Sequence, residues 1–357
     1  MTRSLSYVMA YQNVENIMCF LYTLGRYYLR FEFTRRPLSL FNLEKKIVAL
    51  GTIMGDIRIF KMEGPSAKEL IGSSIELEKS LQTFMEKNLE SLLGIKFLAS
   101  EYSTGKTHGG RIDTLGLDEN GLPVIIEYKR AINEAVINQG LYYLDWLLDH
   151  RGEFELLVQR NLGKKDADEL DWSNPRLLCI AGDFSKYDIH AVKQIPRNIE
   201  LIRYCKYNPD LLLLELVNAT MVQNEQKIKD SEVQRRDFKN KTFSEYLAQA
   251  DTDLRDRYES LRAFIEALGD DVQTNVLKFY VAFKRIKNFA CVEIRPQNKH
   301  ILVYVKIDPK SISLETGFTR DVREIGHFGT GDLEITLRSD EDLARAKELI
   351  IKSYEMN

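Results

Sequence analysis

The stretch Arg111-Ile112-Asp113-Thr114-Leu115-Gly116-Leu117-Asp118-Glu119-Asn120-Gly121-Leu122-Pro123-Val124-Ile125-Ile126-Glu127-Tyr128-Lys129-Arg130 decides the fold. Two apolar strand-like runs flank Asp-Glu-Asn-Gly, a hairpin signal. A two-residue loop, Asn120-Gly121, pairs Asp113 with Tyr128 and turns Glu127 to the opposite face. A three-residue loop, Glu119 to Gly121, pairs Asp113 with Glu127 instead. That second loop wants a left-handed residue at its last position, which Gly121 supplies. Side chains alternate along a strand, so Lys129 then shares the face of Glu127.

Further strands are expected at Ile57–Met62 and Phe97–Ser103 before or beside the hairpin, and at Phe154–Gln159, Arg176–Ala181, Glu200–Lys206 and Leu211–Val217 after it. A helix precedes it, capped by Ser73 and Glu76, with Leu77, Leu81, Phe84, Met85, Leu89 and Leu92 as its apolar stripe. Another helix follows it, from about Glu134 to His150. Strands interleaved with helices indicate an α/β protein built on a mixed sheet flanked by helices.

Residues 1–53 mix aromatics and arginines without a sustained period and read as an N-terminal extension that is not native, with Met54 as the natural start. The main domain spans 54–220. From Asn224 to Lys241 ten of eighteen residues are charged, so 221–255 reads as a charged linker or exposed helix. A smaller α+β domain of unknown role occupies 256–357, with a helix at Tyr258–Leu268, strands at Ala290–Arg295 and Ile301–Ile307, and a terminal helix at Asp340–Tyr354.

The 357 residues carry a net charge of −3, which excludes a uniformly basic, histone-like binder but not a local basic groove. Cys19, Cys179, Cys205 and Cys291 form no CxxC pair, so neither a zinc site nor a disulfide framework is indicated. No run reaches the roughly 20 apolar residues that span a bilayer. The longest, Ile17 to Leu24, lacks a signal-peptide cleavage pattern. These features predict a cytoplasmic protein with no membrane partner.

The trio Asp113, Glu127 and Lys129 has a chemical use. Two neighbouring carboxylates repel unless a cation lies between them, which favours Mg²⁺ or Mn²⁺ held by oxygen, with the Tyr128 backbone carbonyl completing the shell. Such an ion acidifies water and polarises a phosphate, and Lys129 orients the water or offsets charge on the phosphate. The plain alternative is an ordinary hairpin with a surface Asp and a Glu-x-Lys ion pair. Three features weigh against it. Val124, Ile125 and Ile126 surround Glu127 with apolar neighbours, where a lone carboxylate is costly. Glu78 falls inside the apolar stripe of its helix, whereas Glu86 and Glu90 fall outside and read as solvated. Gln139 and Tyr143 lie one turn apart at the edge of the apolar face of the following helix.

These positions resemble the PD-(D/E)XK superfamily, whose motif is an acidic residue, a short hairpin, then Glu-x-Lys. Gln139-Gly-Leu-Tyr-Tyr143 is similar to the Q-x-x-x-Y signature of the RecB-like branch. The order helix Glu, Gly-Arg-Ile-Asp, Glu-x-Lys, Gln, filled here by Glu78, Gly110 to Asp113, Glu127 to Lys129 and Gln139, resembles the NucS-like endonuclease domain over about residues 70 to 160. The chain departs from NucS in lacking its usual N-terminal domain. The C-terminal domain is similar to one of unknown function found after such nuclease domains. The resemblance implies a restriction-endonuclease-like sheet and a divalent-metal-dependent nuclease, with DNA as its partner. Asp113 and Glu127 are then the metal ligands, Lys129 the third catalytic group, Glu78 an auxiliary ligand and Gln139 a positioning group. Arg111, Arg130, Tyr143 and Lys106 are expected on the nucleic acid, and the second domain is a candidate for homodimer formation. The rival expectation is a non-catalytic nucleic-acid- or protein-binding module on the same scaffold.

Other signals are weaker. Gly105-Lys106-Thr107 ends like a phosphate loop, but Ser100 stands where the first glycine belongs, so a polar turn is expected. Gly326-His327-Phe328-Gly329 lacks a strand-to-helix context and reads as a loop. The basic residues Lys129, Arg130, Arg151, Arg160, Lys164 and Lys165 follow the hairpin and, with Arg111, are candidates for a phosphate-backbone groove.

Overall fold

The computed structural model describes residues 17–24, 27–34, 57–73, 78–129, 135–220 and 242–357. The chain falls into two units, Met1–Ile53 and Met54–Asn357. In the first, β1 (Ile17–Leu24) and β2 (Tyr27–Thr34) pair antiparallel. This ribbon was not expected: β1 is a continuous apolar run, and the alternation in β2 covers only Leu29-Arg30-Phe31-Glu32-Phe33. The second unit opens with the antiparallel pair β3 (Ile59–Glu63) and β4 (Ser66–Leu70).

A seven-stranded mixed sheet follows, made of β5 (Gly72–Ser73), β6 (Ile95–Ser103), β7 (Arg111–Asp118), β8 (Pro123–Lys129), β9 (Arg176–Ala181), β10 (Asn198–Tyr207) and β11 (Leu211–Thr220). Its order is β11-β10-β9-β8-β7-β6, with β5 added to β10. Strands β8, β9 and β10 run parallel, the others antiparallel. Its helices are α1 (Glu78–Lys87), α2 (Leu89–Leu93), α3 (Gly105–His108), α4 (Ala135–Asp149), α5 (Arg151–Asn161), α6 (Lys164–Asp168) and α7 (Lys186–Gln194).

The central strands are buried on both faces, as parallel strands covered by helices must be. Val124, Ile126 and Tyr128 of β8 pack with Leu81, Met85, Leu89 and Leu93 of α1 and α2. Ile125 packs on the other face with Leu144 and Leu147 of α4 and Phe154 and Val158 of α5. The strand expected at Phe154–Gln159 is therefore helix. Phe154 and Val158 are buried one turn apart while Leu156 is 53% exposed, a helical period that a six-residue run is too short to declare. Ser73 does not cap the first helix; it lies in β5 and donates to the Lys206 carbonyl at 3.3 Å. Glu76 and Leu77 lie outside the described residues. Phe84, placed in the apolar stripe, is exposed.

The hairpin closes with the register that a three-residue loop requires. Thr114 faces Ile126 and Leu117 faces Pro123. Gly121 is left-handed at φ +77. A Cβ there meets the Glu169 carbonyl oxygen at 2.7 Å. Gly121→Ala is thus expected to cost about 1–3 kcal/mol, to be read from the urea midpoint; an unchanged midpoint means that the loop relaxes freely.

The second domain comprises α8 (Phe243–Gln249), α9 (Thr252–Glu266), β12 (Gln273–Val276), β13 (Val281–Lys284), β14 (Asn288–Arg295), β15 (His300–Val305), β16 (Thr319–Asp321), β17 (Leu333–Leu337) and α10 (Asp340–Met356). Its strands form an antiparallel sheet of order β12-β13-β14-β15-β17-β16. The helices cover one face, where Phe243, Leu254, Tyr258 and Ile350 meet Val281, Phe283, Val292 and Val303. The core therefore starts at Phe243 rather than at the expected boundary of 256, because α8 and the first turn of α9 bury apolar side chains in it. The rest of the proposed 221–255 linker, residues 221–241, lies outside the described residues.

Candidate functional site

Asp113 sits where the ladder of β7 is interrupted on both sides. Toward β6 the pairs run Ser100–Thr114 and Tyr102–Ile112, and Glu101 between them is left-handed at φ +51. Toward β8 the ladder ends at Thr114–Ile126. Side chains take over the backbone bonds at this point. The Asp113 N–H donates to Glu127 Oε1 at 3.2 Å, and Gln82 Nε2 donates to the Asp113 carbonyl at 2.7 Å. The Tyr128 N–H in turn donates to Asp113 Oδ2 at 3.0 Å. Each carboxylate thus clasps the other's strand. Backbone irregularity of this kind gathers at functional sites.

Glu127 is fully buried, and its Oε2 has no hydrogen-bond partner. Burial first, then the neighbouring Asp113 carboxylate, pushes its pKa up to about 9, with Lys129 pulling weakly the other way. A buried carboxyl with a vacant oxygen beside a second carboxylate is a poor structural element and a good cation site. Lys129 is half-buried two residues further along β8. Cys179 of β9 lies in register with Glu127, and burial pushes its thiol upward. Among the described residues, no three His, Cys, Asp or Glu side chains gather as a cage.

The other expected residues divide. Glu78 begins α1, and its side chain lies outside the described residues, as does Arg130. Arg111 and Lys106 are exposed, Arg111 at 3.5 Å from Glu101. Lys106 lies in the turn of α3, not in a phosphate loop. Gln139 is half-buried on α4. Tyr143 is only 6% exposed and accepts the Arg111 N–H at 3.2 Å. It is a core residue that anchors the start of β7, not a surface contact. Gly110 makes room for its ring, which a Cβ there meets at 2.7 Å. Of the basic set, Arg151 lies over the Trp172 ring at 5.2 Å and Lys164 binds Asp168 at 2.7 Å.

Sequence reasoning missed Gln82 and misread Glu86. Gln82 is buried and joins Glu86, Ser100 and the Asp113 carbonyl. Glu86, expected in solvent, is half-buried and accepts from Thr114 Oγ1 at 2.7 Å. The signal was present: Glu78, Gln82 and Glu86 recur every fourth residue, one face of a helix.

The fold and this site define a mixed α/β protein that carries an acidic pair on a central hairpin. Residues 243–357 match the model of a domain of unknown function, DUF5655. The chain belongs to the family of an uncharacterized protein of Haemophilus influenzae, to which it is 30% identical over 305 residues, covering 82% of this chain and 98% of that protein. It is also similar to a chain in the structure of the EndoMS–dsDNA2 complex, at 18% identity and a TM-score of 0.25 over 37% of its own length. The chain spans 47% of that solved chain. Among the described residues no helix is long and apolar enough to cross a membrane.

Proposed function

We propose that this protein is a divalent-metal-dependent nuclease that hydrolyses phosphodiester bonds, with DNA as the expected substrate. The observation that carries the reading is the buried Glu127 carboxyl, held against Asp113 with one oxygen unpartnered. Asp113 and Glu127 would hold Mg²⁺ or Mn²⁺ together with the Tyr128 carbonyl. Two carboxylates are enough, because Mg²⁺ retains waters and takes phosphate oxygens as its remaining ligands. Bound there, the cation supplies Lewis acidity toward the phosphate and an acidified water.

The chain's own groups do the rest. The Asp113 and Tyr128 N–H groups fix the two carboxylates and Gln82 holds the Asp113 backbone carbonyl, so the pair is preorganised. Lys129 places a positive charge on the Glu127 side of β8, where negative charge develops on the phosphate. Exposed Arg111 and Lys106 suit backbone phosphates. Gln139 is the positioning group, and Glu78 an auxiliary ligand.

The test is a cleavage screen of the full chain with Mg²⁺ or Mn²⁺ on single-stranded, duplex, branched and mismatched DNA and on RNA. Lys129→Ala is expected to lower the rate by about 10²–10³-fold with little change in melting temperature. A wild-type protein inert on every substrate with both metals sinks the reading. Nucleic-acid binding that calorimetry finds indifferent to metal identifies instead a non-catalytic binding module.

A further inference from the structure

The loop of the acidic hairpin is seated in the second domain. Leu122 is fully buried among Leu277, Tyr280, Ala282, Cys291 and Tyr304, on the sheet face opposite the helices. Asn120 Oδ1 accepts from Tyr280 Oη at 3.0 Å and from Asn288 Nδ2 at 2.7 Å. The Asn288 N–H donates to Glu119 Oε2 at 2.9 Å, and Lys306 Nζ binds the other oxygen of Glu119. All three loop positions before Leu122 are thus constrained, since Gly121 also accepts the Asp171 N–H at 2.9 Å.

We propose that the DUF5655 domain braces the acidic hairpin, with Asn288 and Tyr280 as positioning residues that set the separation of Asp113 and Glu127. The physical reason is leverage. The β7–β8 ladder stops at Thr114–Ile126, so at the carboxylate end these two strands are joined through the Asp113 and Glu127 side chains, while β6 and β9 hold their outer edges. The loop end, about 17 Å away along five residues of β7, is where the ribbon is gripped. Twist or register slip permitted at the loop is passed along the β7–β8 seam of the seven-stranded sheet to the pair. The catalytic consequence rests on the nuclease reading; the mechanical claim does not.

The experiment uses the full chain and compares wild type with Tyr280→Phe, which removes one hydroxyl, and Asn288→Ala. Amide hydrogen exchange is followed at Asp113 and Tyr128, the two N–H groups that the carboxylates accept, and at Val292 and Val303 inside the second sheet. The brace predicts exchange at Asp113 and Tyr128 faster by about tenfold, with Val292 and Val303 unmoved, and a Mn²⁺ Kd weakened by about tenfold. Asp251→Ala, which removes the cap of α9, should lower Tm and leave both readouts alone. Exchange at Asp113 and Tyr128 unchanged in both variants overturns the brace. Wild-type protein that takes up no Mn²⁺ overturns the metal reading instead, and exchange still decides the brace.

Discussion

Glu127→Gln is expected to stabilise the metal-free protein by about 2–3 kcal/mol at pH 7 and to abolish cleavage. The carboxyl has its pKa pushed up to about 9 by burial and by Asp113, while in the unfolded chain it ionises near the ordinary glutamate value. Between these two values the unfolded state releases a proton that the folded state keeps. Stability is therefore fully present below about pH 4.5 and declines as pH rises toward about 9, by up to about 1.4 kcal/mol per unit. Glutamine carries no proton to lose, so the variant should show a flat profile from this site. Urea unfolding in chelator at pH 5, 7 and 9 separates the two curves; parallel curves would show that Glu127 ionises normally. The same linkage makes metal uptake expel a proton, so the wild-type Mn²⁺ affinity should rise by about tenfold per pH unit below pH 9. A buried acid kept at a cost in stability is the pattern of a functional group.

The largest loss of stability is expected from Arg176→Ala, at about 3–5 kcal/mol. Arg176, Asp118, Glu200 and Lys284 are all buried and form a neutral quartet. Arg176 reaches Asp118 at 2.9 Å and Glu200 at 2.8 Å, and Lys284 reaches Glu200 at 2.9 Å. Asp118 Oδ1 also accepts the N–H groups of Asn120 and Leu122, so the quartet supports the hairpin loop from behind. Removing the guanidinium leaves two buried carboxylates facing one ammonium. Burial raises the Glu200 pKa, but Arg176 and Lys284 outweigh it and hold it down to about 2. This stabilisation is present above the ordinary glutamate value and is lost as pH falls toward 2. Arg176→Ala should therefore unfold at lower urea at pH 7 and show a shallower decline on acidification than wild type. Equal urea midpoints at pH 7 would mean that the remaining charges find new partners.

Much of the hairpin could be read directly. Its register depended on one loop of three residues and one left-handed glycine, Gly121, both local features. Strands β6 to β11 were legible for the same reason, as apolar runs bounded by turns, and α4 by its period. Failures came where the window was short or the partner distant. The Phe154–Gln159 run spans less than two helical turns, so its period could not separate α5 from a strand. Strands β12, β13, β16 and β17, of three to five residues, carry too few alternations to be seen.

By itself the sequence determined the closed hairpin, from local spacing, and the α/β class, from the interleaving of strands and helices, and it narrowed the partner of Asp113 to Glu127 or Tyr128 according to loop length. Only the tertiary structure decided that Tyr143 is core, that Gln82 takes the Asp113 carbonyl, that Asn288 and Tyr280 meet a loop some 160 residues earlier, and that Lys284 reaches Glu200. Such contacts have no period to read. They join groups whose proximity is set by how two sheets and their helices pack, and a polar side chain on a strand looks the same whether its partner is water or a buried asparagine.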